Sequence, residues 1–182
     1  DPIDNPVKYG LTIFREYDES HRARLFANEK RKRTTVYIEE SKIPKISSLF
    51  DSYKIFVPKA WGNMDEKDGF LGGSYSKIEV AEPKDCCSEM YIEFGPFKSK
   101  DEAINAKKYF YTKFFRAVFY KDKISQNTAI QTYKSVPIQN FTNNSDINWT
   151  KSITDIDKQL YKKYGLSEKE INFIEEKVKE MN

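Results

Sequence analysis

The hydrophobic pattern of the chain changes its period at Ser99, and this change constrains the fold more than any other feature of the 182 residues. Before Ser99, short runs rich in Ile, Val, Tyr and Phe are separated by polar, Gly or Pro residues, a pattern typical of β-strands. These runs cover residues 9–14, 34–39, 54–57, 77–80 and 90–94. After Ser99, apolar residues recur at the spacing of helices. The sequence therefore predicts an α+β fold, in which a strand-rich N-terminal lobe forms a curved mixed or antiparallel sheet.

A long central helix is predicted to begin at Ser99 and to end near Tyr120. Ser99 and Glu102 have the spacing of a capping box, in which two side chains satisfy the N–H groups at a helix start. Five aromatic residues follow at helical spacing, and we expect them to lie in the core rather than to stack on bases. They are Tyr109, Phe110, Phe114, Phe115 and Phe119.

Two shorter helices are predicted near the C-terminus. Ser152 has the position of an N-cap for the first helix, which Gly165 ends, and Ser167 with Glu170 forms a second capping-box pattern. We therefore expect one domain over residues 1–150, strand-rich at 1–97 and with the central helix and a loop at 98–150. A small helical C-terminal tail at 151–182 is expected to pack on it.

The composition favours a soluble protein of the cytoplasm. Charged residues make up 32% of the chain, and no apolar run approaches the roughly 20 residues that a membrane-spanning helix needs. The lack of such a run predicts that the chain has no membrane partner. The abrupt start at Asp1, without a signal-like segment, indicates a fragment of a longer chain. Cys86 and Cys87 are adjacent, which favours two reduced thiols over a disulfide or a four-ligand metal site.

The distribution of charge is more informative than the net charge of +3. Residues 107–134 contain seven basic side chains and one acidic side chain, that of Asp122. The basic residues are Lys107, Lys108, Lys113, Arg116, Lys121, Lys123 and Lys134. A basic segment interleaved with aromatic residues is typical of a nucleic-acid interface, although a solvated helix face has the same composition.

The polar end of this segment contains the candidates for reading a base sequence. They are Ser125, Gln126, Asn127 and Thr128, which follow Lys121 and Lys123. Gln and Asn side chains pair with adenine, whereas lysines and hydroxyl groups hold phosphates. The alternative is that the four polar residues cap helices and satisfy loop backbone. Arg116 has the same two interpretations, a DNA contact or a buried ion-pair partner.

A second basic cluster lies in the N-terminal lobe. It contains Arg22, Arg24, Lys30, Arg31, Lys32 and Arg33. Arginine grips guanine or a phosphate through two parallel hydrogen bonds. Residues 30–33 directly precede a predicted strand, so they form either a hairpin tip that reaches a groove of DNA or a solvated turn.

Six blocks of the sequence, in order, resemble one protein family. They are residues 54–62 (KIFVPKAWG), 91–97 (YIEFGPF), 112–116 (TKFFR), 123–126 (KISQ), 132–137 (TYKSVP) and 160–171 (LYKKYGLSEKEI). They are similar to the C-terminal target-recognition region of bacterial type II restriction-modification methylases that modify adenine at N6, many of which are fused to a nuclease. Residues 6–12 (PVKYGLT) resemble the start of that region, and residues 14–52 match it only loosely.

The resemblance implies a module that recognises a specific sequence in double-stranded DNA and lacks the catalytic centre. The Asn/Asp-Pro-Pro-Tyr signature of these methylases is missing, and Asn5-Pro6 is the nearest approach to it. The partners implied are double-stranded DNA and an upstream catalytic domain of the same parent chain. That domain, not this one, would bind S-adenosylmethionine and methylate a flipped adenine.

Two other functions compete with DNA recognition. The first is a docking module for the catalytic domain or a partner subunit, with the C-terminal helix as its contact. The second is a metal-dependent nuclease, because Glu82 and Lys84 with Asp68 upstream have the spacing of such a site. Pro83 argues against the nuclease, since proline does not fit the central strand that this site requires.

Overall fold

A computed structural model describes residues 13–20, 23–29, 32–43, 47–59, 77–122 and 129–181. The described residues up to Val57 and from Glu79 to Lys100 form one compact unit. Those from Asp101 onwards, with Pro58, Lys59, Lys77 and Ile78, form the second. In chain order the strands and α-helices are β1 (Ala23–Glu29), β2 (Lys32–Ile38), β3 (Tyr53–Pro58), β4 (Glu79–Ala81), β5 (Cys86–Cys87), β6 (Tyr91–Phe97), α1 (Lys100–Tyr111), α2 (Lys113–Lys121), α3 (Ile153–Lys163) and α4 (Glu168–Lys177).

The first unit contains a mixed sheet with the strand order β2-β1-β5. β1 and β2 are antiparallel, from the pair Ala23↔Ile38 to the pair Glu29↔Lys32, whereas β5 runs parallel to β1. Alternate residues of the two long strands face the same apolar cluster, as the two-residue period of a strand requires. With Phe50 they form one apolar cluster, which contains Ala23, Leu25, Ala27, Val36 and Ile38.

A second sheet of the same unit has the order β4-β3-β6. β3 pairs antiparallel with β4, with Ile55 opposite Val80. Phe26 of β1 meets Phe56 of β3 edge to face, with ring centroids 5.3 Å apart. Ala81 and Tyr91 complete this second apolar cluster, so it joins residues of both sheets.

The α+β class is confirmed, with strands in the N-terminal part and helices after it. The strands predicted at 34–39, 54–57, 77–80 and 90–94 overlap β2, β3, β4 and β6. Most of the run at 9–14 lies outside the described residues, although Phe14 forms a bridge with Tyr37. β1 and β5 were not predicted.

The single long helix predicted from Ser99 to Tyr120 is wrong, because the structure divides it at Thr112. Thr112 has an extended backbone, with ψ of 148°, and its side chain accepts a hydrogen bond from the Phe115 N–H as the N-cap of α2. The Thr112 hydroxyl in turn donates to the Tyr109 carbonyl at 2.7 Å. A hydroxyl that caps the next helix competes with continuation of the first helix.

The five central aromatic residues lie in the core, as predicted. Tyr109, Phe110, Phe114, Phe115 and Phe119 are all at most 6% exposed. Phe115 meets Tyr109 edge to face at 5.1 Å, and Phe119 packs against Tyr133 at 4.6 Å. These rings hold α1 and α2 to the segment around Tyr133.

The caps predicted for the last two helices are confirmed. Ser152 caps α3, and Ser167 with Glu170 forms the complete capping box of α4. Gly165 has φ of +62°, and the Gly165 and Leu166 N–H groups donate to Lys162 and Tyr161, which closes α3 with a Schellman motif. Among the described helices, none combines the length and the apolar character needed to cross a bilayer.

Candidate nucleic-acid interface

The β1–β2 hairpin closes at a point of the sequence where four consecutive residues, 30–33, are basic. The strands pair up to Glu29↔Lys32, so only Lys30 and Arg31 connect them. β5 pairs with Leu25 and Phe26 alone, and within the described strands the last three residue pairs therefore form a two-stranded ribbon. We call this part, residues 27–34, the basic ribbon. Arg22, Lys30 and Arg31 lie outside the described residues, as do the side chains of Lys32 and Arg33.

Arg24, the remaining member of the N-terminal cluster, is held in an ion pair with Asp85. Its Nε donates to Asp85 Oδ1 at 2.9 Å, and its Nη2 donates to Asp85 Oδ2. The Asp85 side chain is only 6% exposed and also accepts from the Glu82 N–H. The hydrogen bonds to Asp85 raise the pKa of Arg24 above its usual value. This guanidinium ties β1 to the turn before β5.

Arg116 is not a surface residue, and of its two interpretations the structure favours the buried one. It is 0% exposed. Its Nε donates to the Thr112 carbonyl at 3.3 Å, and its Nη2 donates to the Lys179 carbonyl. The buried guanidinium therefore fastens α2 to the chain after α4.

The C-terminal end of α2 presents Lys121 to solvent. Lys121 is exposed, and the following Asp122 ends the helix with its N–H directed to Phe119 and Tyr120. Lys123, Ser125, Gln126, Asn127 and Thr128 lie outside the described residues. Of the predicted reading edge, the structure thus places Lys121 alone, on a helix whose opposite side is buried through Phe115 and Phe119.

The N-terminal end of α2 is anchored by a buried carboxylate. Asp157 of α3 is 2% exposed, and its two oxygens accept from the N–H groups of Lys113 at 2.9 Å and Phe114 at 2.8 Å. Burial raises the pKa of Asp157 to about 6, against the opposing effect of these two hydrogen bonds. This carboxylate therefore fastens the start of α2 to α3.

Two of the three residues of the alternative nuclease site are described, and each is held in an ion pair. Pro83 and Lys84 form a turn between β4 and β5, and Lys84 has φ of 73°. Glu82 pairs with Lys100 at 2.7 Å, while Lys84 pairs with Glu40 at 2.9 Å. Asp68 lies outside the described residues. In the described ranges no three His, Cys, Asp or Glu side chains come together as metal ligands.

Both cysteines are free thiols in β5. Burial raises the pKa of Cys86 to about 12 and also raises that of Cys87, where the neighbouring Glu93 adds to the effect. Both groups therefore stay protonated at neutral pH. A protonated thiol is a poor nucleophile and a poor metal ligand, so neither cysteine has the character of a catalytic residue.

The sequence did not predict the buried Lys54 or the pair of lysines at positions 158 and 162. Lys54 is fully buried in β3. Nothing in the neighbouring sequence distinguishes this buried lysine from an exposed one. Lys158 and Lys162 line an open cleft of the second unit. Their spacing of four residues on a predicted helix was a usable signal, since residues at i and i+4 share one face.

The chain matches no protein-family model, no curated protein and no solved structure. The resemblance to the adenine methylases is therefore an expectation from the six sequence blocks.

Proposed function

We propose that the chain is a sequence-specific recognition module for double-stranded DNA, belonging to an adenine-N6 methyltransferase or restriction-modification enzyme and lacking its catalytic centre. The basic ribbon is the observation that carries the proposal. It combines a regular two-stranded end with Lys30, Arg31, Lys32 and Arg33 in succession.

The dimensions of the ribbon suit a DNA groove. Three residue pairs follow Phe26, which at about 3.3 Å per residue give a length of roughly 10 Å. The major groove of B-DNA is about 12 Å wide and about 8.5 Å deep, and it admits a two-stranded ribbon. Four positive charges at the tip would meet phosphates at both walls of the groove and release their counterions.

The second contact of the proposal is Lys121 with the polar residues that follow it. Lysine positions the protein on phosphates, whereas Gln126 and Asn127 have the donor and acceptor groups that distinguish adenine. We assign affinity to the basic ribbon and Lys121, and base selection to residues 125–128.

The other parts of the proposal follow from the same role. Methyl transfer and S-adenosylmethionine binding belong to an upstream domain of the parent chain, which is the protein partner. The module would act in the cytoplasm, where bacterial DNA is accessible. No cofactor is assigned to this chain.

The test is a fluorescence anisotropy titration of the full chain with labelled duplex DNA at 50 and 200 mM salt, preceded by selection of binding sequences from a random duplex pool. We expect enrichment of one short motif and binding that weakens steeply with salt. Lys32→Ala with Arg33→Ala should weaken binding to all sequences and reduce the salt slope by about 0.9 for each phosphate that the variant no longer neutralises. Asn127→Ala should instead change the selected motif.

Lys169→Ala is the matched control, because Lys169 is an exposed lysine of α4 outside the proposed interface. It should bind DNA like the unaltered chain. Absence of binding at 50 mM salt, or binding without an enriched motif, would refute the proposal. Equal effects of the ribbon and Asn127 variants on affinity and motif would refute the division of roles.

A further inference from the structure

The last two helices of the second unit enclose an open cleft of about 640 Å³ that DNA recognition does not use. One wall is a line on α3, Thr154, Lys158 and Lys162, whose spacing of four residues puts them on one face. The other wall is Ile171 and Glu175 of α4, again four residues apart. Tyr161, Gly165 and Leu166 complete the lining.

The interior of this cleft is largely apolar. Leu166 and Ile171 are half-buried, and Tyr161 is 4% exposed. Gly165 adds open space, because a Cβ built on it meets no atom within 4 Å. From Thr154 to Lys162 the wall is about 12 Å long at 1.5 Å per residue, which accommodates about two turns of a partner helix.

The charge at the mouth of the cleft is positive. On the α4 wall, the Glu175 carboxylate accepts from the Tyr161 hydroxyl at 2.8 Å and pairs with Lys113, so its charge is compensated. On the α3 wall, Lys158 is 3.3 Å from Asp155, but both side chains are more than half exposed, and such a pair is weak. Lys162 is exposed beside it. A ligand of this cleft must therefore present apolar side chains to its walls and negative charges to two lysines that lie four residues apart.

We propose that this cleft binds an acidic amphipathic segment of a protein partner. The segment inserts apolar side chains between Leu166 and Ile171 and places two carboxylates, one helical turn apart, against Lys158 and Lys162. Binding of an amphipathic helix in a groove is a common form of protein recognition. The proposal does not rest on DNA binding, because it uses none of the residues of the basic ribbon or of the segment after α2.

The test uses two synthetic amphipathic peptides of about four turns, with the same leucine positions and with either glutamate or lysine pairs at i and i+4 along one edge. Each is titrated into the ¹⁵N-labelled full chain. We expect the acidic peptide to shift the amide resonances of Lys158, Lys162, Leu166 and Ile171, and the basic peptide to bind at least tenfold more weakly.

Charge reversal in Lys158→Glu with Lys162→Glu should invert this preference. The matched control is Lys151→Glu with Lys169→Glu, two exposed lysines that do not line the cleft and whose reversal changes the net charge equally. The control should keep the preference for the acidic peptide. Equal binding of both peptides, or shifts that map elsewhere, would overturn the proposal.

Two further measurements distinguish other occupants. If the Lys158→Glu with Lys162→Glu variant lost duplex DNA binding as fully as the basic-ribbon variant, the cleft lysines would be DNA contacts and the peptide proposal would fall. If the unaltered chain dimerised in sedimentation experiments and this variant did not, a second copy of the chain would be the occupant. Unchanged DNA binding and a monomer in both cases would support the protein partner.

Discussion

Replacing Lys54 by methionine tests whether a buried ammonium group holds the first unit together. The side chain is 0% exposed, and Nζ donates to the carbonyls of Phe50 at 3.2 Å, Ser52 at 3.2 Å and Glu82 at 3.1 Å. All three ammonium hydrogens thus have an acceptor. Burial lowers the pKa of Lys54, which reflects the cost of removing this charge from water.

The expected effect is a balance of three contributions. Hydrogen bonds to a charged group contribute about 1.5–3 kcal/mol each, whereas desolvation of an ammonium costs several kcal/mol, so these two contributions largely cancel. After the substitution, Phe50 O still accepts from the Lys84 N–H at 2.8 Å, and Glu82 O from the Asp85 N–H at 3.1 Å. The loss therefore falls mainly on the part-buried Ser52 carbonyl, and an unsatisfied acceptor costs about 1–3 kcal/mol when water does not reach it.

We expect Lys54→Met to lower the free energy of unfolding of the first unit by about 1–3 kcal/mol. Lys54→Ala should cost about 2 kcal/mol more, because it also removes buried methylene groups at about 0.8 kcal/mol each. Native-state hydrogen exchange of the Ile55 and Phe56 amides measures this unit directly. Lys169→Met, an exposed substitution, is the control and should change stability by less than about 0.5 kcal/mol. A methionine variant as stable as the unaltered chain would show that the ammonium contributes nothing beyond its packing.

Two predictions concern the second unit. Gly165→Ala should destabilise it by about 1–2 kcal/mol through the positive φ alone, since a Cβ there meets no atom within 4 Å; a larger loss in urea denaturation would contradict this explanation. Burial raises the pKa of Asp157 from 3.8 to about 6, so the folded state binds more protons than the unfolded state between these pH values, and this group contributes more stability as the pH falls. Relative to Asp157→Asn, the unaltered chain should gain up to about 3 kcal/mol in the free energy of unfolding between pH 7 and pH 4, at about 1.36 kcal/mol per pKa unit. The opposite sign would mean that the hydrogen bonds from Lys113 and Phe114 outweigh burial.

Local patterns in the sequence predicted the features that depend on neighbouring residues. The capping box at Ser167, the cap at Ser152 and the left-handed glycine at position 165 each involve at most six consecutive residues, and all three were predicted. The burial of Phe115 and Phe119 followed from helical spacing in the same way.

Features that depend on distant residues were missed. Arg24 and Asp85 are 61 positions apart, so no local pattern distinguishes their ion pair from a surface arginine. Arg116 finds its acceptor at Lys179, 63 positions away. β5 has only two residues, too few for a periodic signal, and exists because it lies beside Leu25 and Phe26. The break at Thr112 depends on whether the Thr112 side chain caps a new helix or the first helix continues through this residue.

The buried cations change the expected contributions of the basic ribbon and of Lys121 to DNA affinity. The excess positive charge of residues 107–134 is partly internal, because Arg116 is buried and Lys113 pairs with Glu175. Lys108 also donates to the Trp149 carbonyl at 2.7 Å. These three cations hold the second unit together and are not available to neutralise phosphates. In the described part of the N-terminal cluster, Arg24 is held in an ion pair with Asp85. The sequence places Lys30, Arg31, Lys32 and Arg33 in succession where the β1–β2 hairpin closes. The electrostatic part of DNA affinity should therefore depend more on the ribbon than on Lys121, and removal of Lys32 and Arg33 should reduce the salt slope by about twice as much as removal of Lys121.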